Sequence, residues 1–181
     1  MERVYLEHAA TTPLDPEVLE AMKPYLLEDY GNASSVHQLG RQARVALEQA
    51  REQVAACLNA ESSEVVFTSG GTEADNLALK GVLRAASEGD TRAGLVTSAA
   101  EHEAVLRPAE RLAEEGHPVQ ILTPDAHGAV SPEQVRAALD DQTALVSLMH
   151  TNNETGVQTE IPAIADICKS NDVLLHCDAV Q

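Results

Sequence analysis

The chain has 181 residues, of which 44% are hydrophobic, 23% charged and only 2% aromatic, a composition typical of one globular domain whose core rests on alanine, valine and leucine. Its 12 basic and 29 acidic side chains give a formal charge of −17, which repels phosphate backbones and anionic membrane surfaces and argues against a nucleic-acid partner. The apolar runs are too short for a membrane helix and the first residues do not resemble a signal peptide, so we expect a soluble, cytoplasmic protein.

The residues before position 60 are predicted to form two helices. The stretches "LDPEVLEAMKPYLLED" (14–29) and "HQLGRQARVALEQAREQVAACL" (37–58) carry apolar residues at helical spacing, and the loop "YGNASSV" (30–36) joins them. Because the sequence contains neither a repeat nor a long linker, we infer no internal domain boundary.

From position 60 onward, short β-branched runs alternate with helical stretches, and this rhythm predicts an α/β fold. The predicted strands are 64–69, 93–98, 118–123, 144–150 and 173–177. The predicted helices are 72–87, 102–115, 131–139 and 161–170. The strands are continuously apolar, as strands covered on both faces are. The third helix begins with "SPEQ", in which Ser131 and Gln134 can form a capping box.

The loop "SGGTEADN" follows the first predicted strand. Gly70 and Gly71 allow close approach of a ligand, and Thr72 begins a helix whose free N–H groups favour an anion. The loop therefore suggests a phosphate site. Taken alone, it is explained at least as well by an ordinary tight turn, and it matches neither the dinucleotide-binding GxGxxG pattern nor the P-loop.

Polar residues also follow two later strands. His102 stands between two glutamates at the start of a helix, where it could cap the helix, stack on a flat cofactor or move protons near neutral pH. Asn153, in "HTNNETG", could bind in the same crevice or belong to a turn.

A carboxylate, Asp178, ends the last strand. Burying it is costly unless it meets a cation, so we expect a basic side chain or a protonated ligand nitrogen beside it. A metal site built on His176 and Asp178 is the less favoured alternative, because such pairs usually occur in all-β folds. The cysteines, at positions 57, 168 and 177, form no CxxC pair and are interpreted as buried, reduced thiols.

Six stretches taken together resemble a known family. They are "YLEHAATTPLDPEV", "GNASSVHQLGRQA", "VVFTSGGTEADNLALKG", "SAAEHEAVL", "LVSLMHTNNETGVQTEI" and "HCDAVQ". In this order they closely resemble the N-terminal part of the cysteine desulfurases, which are class V aminotransferase-like enzymes of the NifS and IscS kind. The resemblance runs from Tyr5 to Gln181 and so covers essentially the whole chain.

This resemblance implies pyridoxal 5'-phosphate as the cofactor. It implies that Gly71 and Thr72 bind the cofactor phosphate. It also implies that Asp178 holds the pyridinium nitrogen and that Gln181 contacts the ring hydroxyl. A carboxylate at the ring nitrogen keeps that nitrogen protonated, and a protonated ring is a better electron sink.

The same resemblance gives two further residues a place beside the ring. His102 would stack on the pyridine ring and act as the catalytic residue that assists proton transfer. Asn153 would approach the ring oxygen and the substrate carboxylate, and so would bind both cofactor and substrate.

The resemblance also implies a fold, namely the three-layer α/β fold of pyridoxal phosphate-dependent transferases (fold type I). Its large-domain sheet is mostly parallel, and it would be incomplete here. Residues 1–15 would be an N-terminal arm or small-domain segment, and residues 16–181 part of the cofactor-binding large domain. The C-terminal domain would lie outside this sequence.

In the family's reaction, L-cysteine becomes L-alanine and the sulfur passes to an enzyme cysteine as a persulfide, for iron–sulfur cluster assembly or other sulfur delivery. The resemblance implies a homodimer that serves sulfur-acceptor or iron–sulfur scaffold proteins.

The family's Schiff-base lysine and persulfide cysteine have no counterpart here, since Lys23, Lys80 and Lys169 all fall on predicted helices. We therefore expect a truncated or split enzyme that is inactive alone. Two alternatives stay open: a selenocysteine lyase or other class V lyase, and a non-catalytic remnant or interaction module with the same fold.

Overall fold

A computed structural model describes residues 4–89 and 92–181. Although no internal boundary was inferred from the sequence, the chain divides after Phe67 into two compact units. We call them the helical unit (residues 4–67) and the sheet unit (Thr68–Gln181). None of the helices in the described part of the chain is both long enough and apolar enough to cross a membrane.

The helical unit contains the two predicted helices, α1 (Pro16–Leu27) and α2 (Gln38–Leu58). The Asp15 side chain accepts a hydrogen bond of 2.7 Å from the backbone N–H of Glu17, which caps the start of α1. Asn59 caps the C-terminal end of α2, and its φ of 52° lies in the left-handed region. Both helices were therefore predicted correctly from local patterns in the sequence.

The predicted strand at 64–69 is wrong. Ser62–Glu64 forms a short 3₁₀ helix, and Val65 after it is extended, with φ −91° and ψ 124°. A strand needs a neighbour to accept and donate its backbone hydrogen bonds, and no described residues pair with this segment. Val66 and Phe67 are accordingly exposed, by 65% and 45%.

The sheet unit is built on four parallel strands, which confirms the predicted α/β fold. They are β1 (Gly94–Ser98), β2 (Val119–Leu122), β3 (Thr143–Met149) and β4 (Leu174–Asp178). Their spatial order is β2-β1-β3-β4, and all neighbouring pairs are parallel. The carboxyl ends of all four strands therefore lie at one edge of the sheet, which we call the carboxyl edge.

The four predicted helices of the sheet unit are present: one precedes β1 and the other three connect successive strands. They are α3 (Gly71–Gly89), α4 (Glu103–Glu114), α5 (Pro132–Ala138) and α6 (Ile161–Ser170). The predicted capping box of α5 is present: the Gln134 backbone N–H donates to the Ser131 hydroxyl at 3.2 Å, and the Ser131 backbone N–H donates to the Gln134 side-chain oxygen at 2.9 Å.

Two hydrophobic clusters give the unit its layers. Leu145 of β3 belongs to the cluster that also includes residues of α3 and α4, whereas the next residue, Val146, belongs to the cluster that includes residues of α5 and α6. Successive strand residues point to opposite faces, so helices cover both faces of the central strands. The edge strands depart from the prediction, because Ile121 of β2 and Leu174 of β4 are 43% and 58% exposed.

Candidate active site

The start of helix α3 is a tight turn held by its own side chains. The backbone N–H and the hydroxyl of Ser69 both donate to the Glu73 carboxylate at 2.6 Å, and these bonds lower the pKa of Glu73. A Cβ atom at Gly71 would stand 2.9 Å from the Val180 side chain, so the turn admits no larger residue without movement. The first N–H groups of α3 have no intrahelical acceptor and can bind an anion.

His102 caps helix α4. Its Nδ1 accepts a hydrogen bond of 3.1 Å from the backbone N–H of Ala104, which fixes the ring orientation and leaves Nε2 for another partner. His102 shares a groove of about 370 Å³ with Thr72 and Lys80. The capping role considered from the sequence is thus present, and it leaves one ring nitrogen available for chemistry.

The two asparagines after β3 differ in their contacts. Asn152 holds the turn together, because its side-chain oxygen accepts from the backbone N–H groups of Glu154 and Thr155 at 3.0 and 2.8 Å. Its amide donates to the Ala100 carbonyl at 2.9 Å, which ties this turn to the one after β1. Asn153 is the half-buried residue next to this anchor.

Asp178 is the last residue of β4 and is only 8% exposed. One carboxylate oxygen accepts a hydrogen bond of 3.1 Å from the backbone N–H of Val180, and the Asp178 carbonyl accepts from the His150 N–H at 2.8 Å. Among the ion pairs of the described residues, none joins Asp178 to a lysine or arginine. Gln181 follows on the exposed end of this segment.

Sequence reasoning missed Asp75, which is buried to 4% exposure in α3. Its Oδ1 lies 3.5 Å from His176 Nε2. Burial and, second, the charge of Asp178 raise the pKa of Asp75 to about 6, against a smaller lowering by His102. The sequence signal that could have drawn attention to Asp75 is its position three residues after Thr72, on the same face of the helix.

Glu101, directly before His102, was missed as well. The Ser98 hydroxyl donates to its Oε1 at 2.9 Å, whereas Oε2 is buried without a hydrogen-bond partner among the described residues. Burial raises the pKa of Glu101 to about 7. Three carboxyl groups, those of Asp75, Glu101 and Asp178, are therefore buried near the carboxyl edge.

The structure also shows the surroundings of His176, which belongs to the alternative metal site, and of the three cysteines. His176 turns its Nδ1 to the Ser147 hydroxyl at 2.9 Å, and within residues 4–89 and 92–181 no group of three potential ligand side chains could hold a metal ion. Cys168 is buried and Cys177 half-buried, and burial raises the pKa of both thiols; Cys57 is exposed, contrary to the prediction that all three are buried.

The geometry fits a ligand that is anionic at one end and cationic at the other. The start of α3 offers backbone donors beside Gly71, where a side chain would intrude on Val180. Asp178 offers a buried carboxylate that is paired with no lysine or arginine among the described residues. Since a phosphate suits the first place and a protonated ring nitrogen the second, these residues could hold pyridoxal 5'-phosphate.

Comparison with curated proteins gives relatives over the whole chain. The chain is 47% identical over 178 residues to "Cysteine desulfurase IscS" of Dictyoglomus turgidum, a match that covers 98% of this chain and 45% of the relative. It is 45% identical over 181 residues to "Putative cysteine desulfurase IscS 1" of Bacillus subtilis, covering 100% of this chain and 47% of the relative. The chain thus spans about half the length of the curated relatives it matches.

Solved structures agree. A NifS-like protein superposes with a TM-score of 0.93 at 38% identity, covering 99% of this chain and 50% of the other. DndA from Streptomyces lividans gives a TM-score of 0.85 at 42% identity, covering 98% of this chain and 49% of the other. The fold is therefore that of the NifS-like cysteine desulfurases.

The family model for aminotransferase class V matches residues 4–181. The chain belongs to the class V aminotransferase family.

Proposed function

We propose that this chain carries the cofactor-holding part of a pyridoxal phosphate-dependent cysteine desulfurase. The enzyme would convert L-cysteine to L-alanine and pass the sulfur to an enzyme cysteine as a persulfide. The observation that carries this proposal is the buried carboxylate of Asp178 at the end of a strand, in a chain 47% identical to a cysteine desulfurase. A buried carboxylate that is paired with no lysine or arginine calls for a cationic ligand.

We assign the cofactor contacts as follows. Gly71 and Thr72, at the start of α3, bind the phosphate through backbone N–H groups and the threonine hydroxyl. Asp178 holds the ring nitrogen in its protonated form, and Gln181 contacts the ring hydroxyl. When bound, pyridoxal 5'-phosphate supplies an electron sink for the electrons left after the substrate's Cα proton departs.

His102 and Asn153 complete the proposed site. With Nδ1 engaged as the acceptor of the Ala104 N–H, the His102 ring is fixed in orientation, stacks on the cofactor and offers Nε2 for proton transfer. Asn153 is positioned by its neighbour Asn152, which anchors the turn to the Ala100 carbonyl, and it binds the substrate carboxylate.

The proposal extends to partners and organisation. A neighbour in the comparison of structures is described as "SspA in complex with cysteine", and we propose L-cysteine as the substrate here. We also propose a homodimer that delivers sulfur to acceptor or iron–sulfur scaffold proteins in the cytoplasm. Residues 1–15 would form an arm and residues 16–181 part of the large domain.

The experiment titrates the protein with pyridoxal 5'-phosphate and follows the visible absorbance, then adds L-cysteine. We expect saturable binding. Because L-cysteine also reacts with the aldehyde of the free cofactor, both amino acids are compared with and without the protein. We expect the protein to increase the spectral change caused by L-cysteine more than that caused by L-serine, which lacks the sulfur. Both amino acids have the same carboxylate and amine, so L-serine is the matched control. Absence of saturable cofactor binding would contradict the proposal, and an equal response to both amino acids would contradict the assigned substrate.

A further inference from the structure

One buried contact joins helix α3 to strand β4. Asp75 lies three residues after Thr72 in α3, and its Oδ1 is 3.5 Å from Nε2 of His176, which lies two residues before Asp178 in β4. Residues three apart on a helix share a face, as do residues two apart on a strand. Each member of the contact is therefore next to a residue that we propose as a cofactor ligand.

The contact is largely buried, and the histidine has a polar partner on each side. The side chains of Asp75 and His176 are 6% and 16% exposed. His176 Nδ1 lies 2.9 Å from the hydroxyl of Ser147, which is fully buried in β3. Because an ionised Asp75 can only accept, the matching tautomer has its proton on Nε2, and Nδ1 then accepts from the Ser147 hydroxyl. The ring therefore has one orientation.

Core packing alone does not explain this pair. Burial lowers the pKa of His176, with Asp178 opposing, so the imidazole is neutral near pH 7 and gives Asp75 no full counter-charge. A pair of apolar side chains of similar size would serve the core at least as well. The charges of Asp178 and His102, both of the proposed cofactor site, act on Asp75, and Asp75 also interacts with the buried Glu101.

We propose that Asp75 and His176 are positioning residues that hold the start of α3 and the Asp178 carboxylate at one fixed separation. This inference rests on the proposed function. Pyridoxal 5'-phosphate is a rigid ring with a phosphate on a short arm, so it gains the full affinity of both ends only when both protein groups stand at the matching distance. The contact makes binding at one end favour binding at the other.

The test compares two probes that differ only in the phosphate, pyridoxal 5'-phosphate and pyridoxal. Dissociation constants are measured for the unaltered protein, Asp75→Leu, His176→Leu and the double variant. We expect the preference for the phosphorylated probe to fall about tenfold in each single variant and no further in the double variant, because both changes remove the same contact. Asp75→Asn keeps an oxygen that can accept from Nε2 and should retain most of the preference.

The control is Thr143→Val, which removes a buried polar group at the opposite end of β3 and should leave the preference unchanged. If Asp75→Leu fails to fold by circular dichroism, His176→Leu gives the same test from the other side of the contact. A preference retained in a folded leucine variant, with both affinities lowered in parallel, would mean a merely structural role and overturn the inference. If the unaltered protein binds neither probe, the proposed function fails first and this inference fails with it.

Discussion

The middle of the sheet and its carboxyl edge bury opposite kinds of side chain. Along β1 and β3 the interior is aliphatic, with Leu95, Val96, Leu145 and Val146 all at most 1% exposed. Near the carboxyl edge, three carboxyl groups from α3, the turn after β1 and β4 are buried, and the pKa values of Asp75 and Glu101 are raised to about 6 and about 7. The apolar middle of the sheet stabilises the fold, whereas the buried carboxyl groups at the carboxyl edge lower its stability. Buried titratable groups of this kind are common at sites that bind or react.

The largest expected effect is in the middle of the sheet. Leu145→Ala should lower the free energy of unfolding by about 2–5 kcal/mol, because it removes a fully buried side chain and leaves a cavity. Leu174→Ala is the matched control: Leu174 pairs with Leu145 in register but is 58% exposed on the edge strand. Urea denaturation measures both. Equal losses would show that the middle and the edge strand do not differ as described.

The carboxyl edge should respond in the opposite direction. Glu101→Gln is expected to raise the free energy of unfolding by about 1–3 kcal/mol at pH 8, because it removes a buried charge while keeping an oxygen for the Ser98 hydroxyl. The folded-state pKa of Glu101 is raised from 4.5 to about 7, so its contribution to stability is complete below pH 4.5 and is lost as the pH rises through about 7.

The difference between Glu101→Gln and the unaltered protein should therefore be largest at pH 8 and vanish at pH 4. Urea denaturation across this range measures it. Glu133→Gln, on an exposed face of α5, is the control for the loss of a carboxylate at the surface. If Glu101→Gln destabilised the protein at pH 8, Glu101 would be a paired, stabilising charge and the contrast with the middle of the sheet would fail.

A smaller effect is expected where a polar group is fully paired. Ser131→Ala should cost about 1 kcal/mol, because the hydroxyl caps the seven-residue helix α5. Ser170→Ala is the control, since the Ser170 hydroxyl only bonds back to the Asp166 carbonyl within α6 and should change stability by less than about 0.5 kcal/mol. Thermal unfolding measures the stability of both variants. A loss of stability in Ser170→Ala equal to that in Ser131→Ala would contradict the capping argument.

Features that are set by neighbouring residues could be predicted from the sequence, whereas features that depend on distant contacts could not. The capping box at Ser131 and the end of α2 near Leu58 are set by neighbouring residues, so local patterns found them. The segment 64–69 has the composition of a strand, but strand formation depends on a partner that composition does not reveal. Apolar content likewise did not separate the edge strands from the central ones.

The site divides in the same way. His102 and Asp178 stand at or just after strand ends, where function was expected, whereas Gly71 follows residues that form no strand. The motifs that contain these three residues were recognisable from the sequence. Asp75 and Glu101 look like ordinary polar residues at the start of a helix, and only the fold shows that both are buried. Burial of a carboxyl group is a tertiary property, so the sequence pattern could not supply it.

The most direct test of the central claim is the affinity of the protein for pyridoxal 5'-phosphate with and without the Asp178 carboxylate. Asp178→Asn keeps the size and the acceptor for the Val180 N–H but removes the charge, and it should weaken binding by about ten- to one-hundredfold, the value of a charged hydrogen bond. Asp172→Asn, at a fully exposed carboxylate before β4, should bind as the unaltered protein does. Equal affinity in the Asp178 variant would contradict the account.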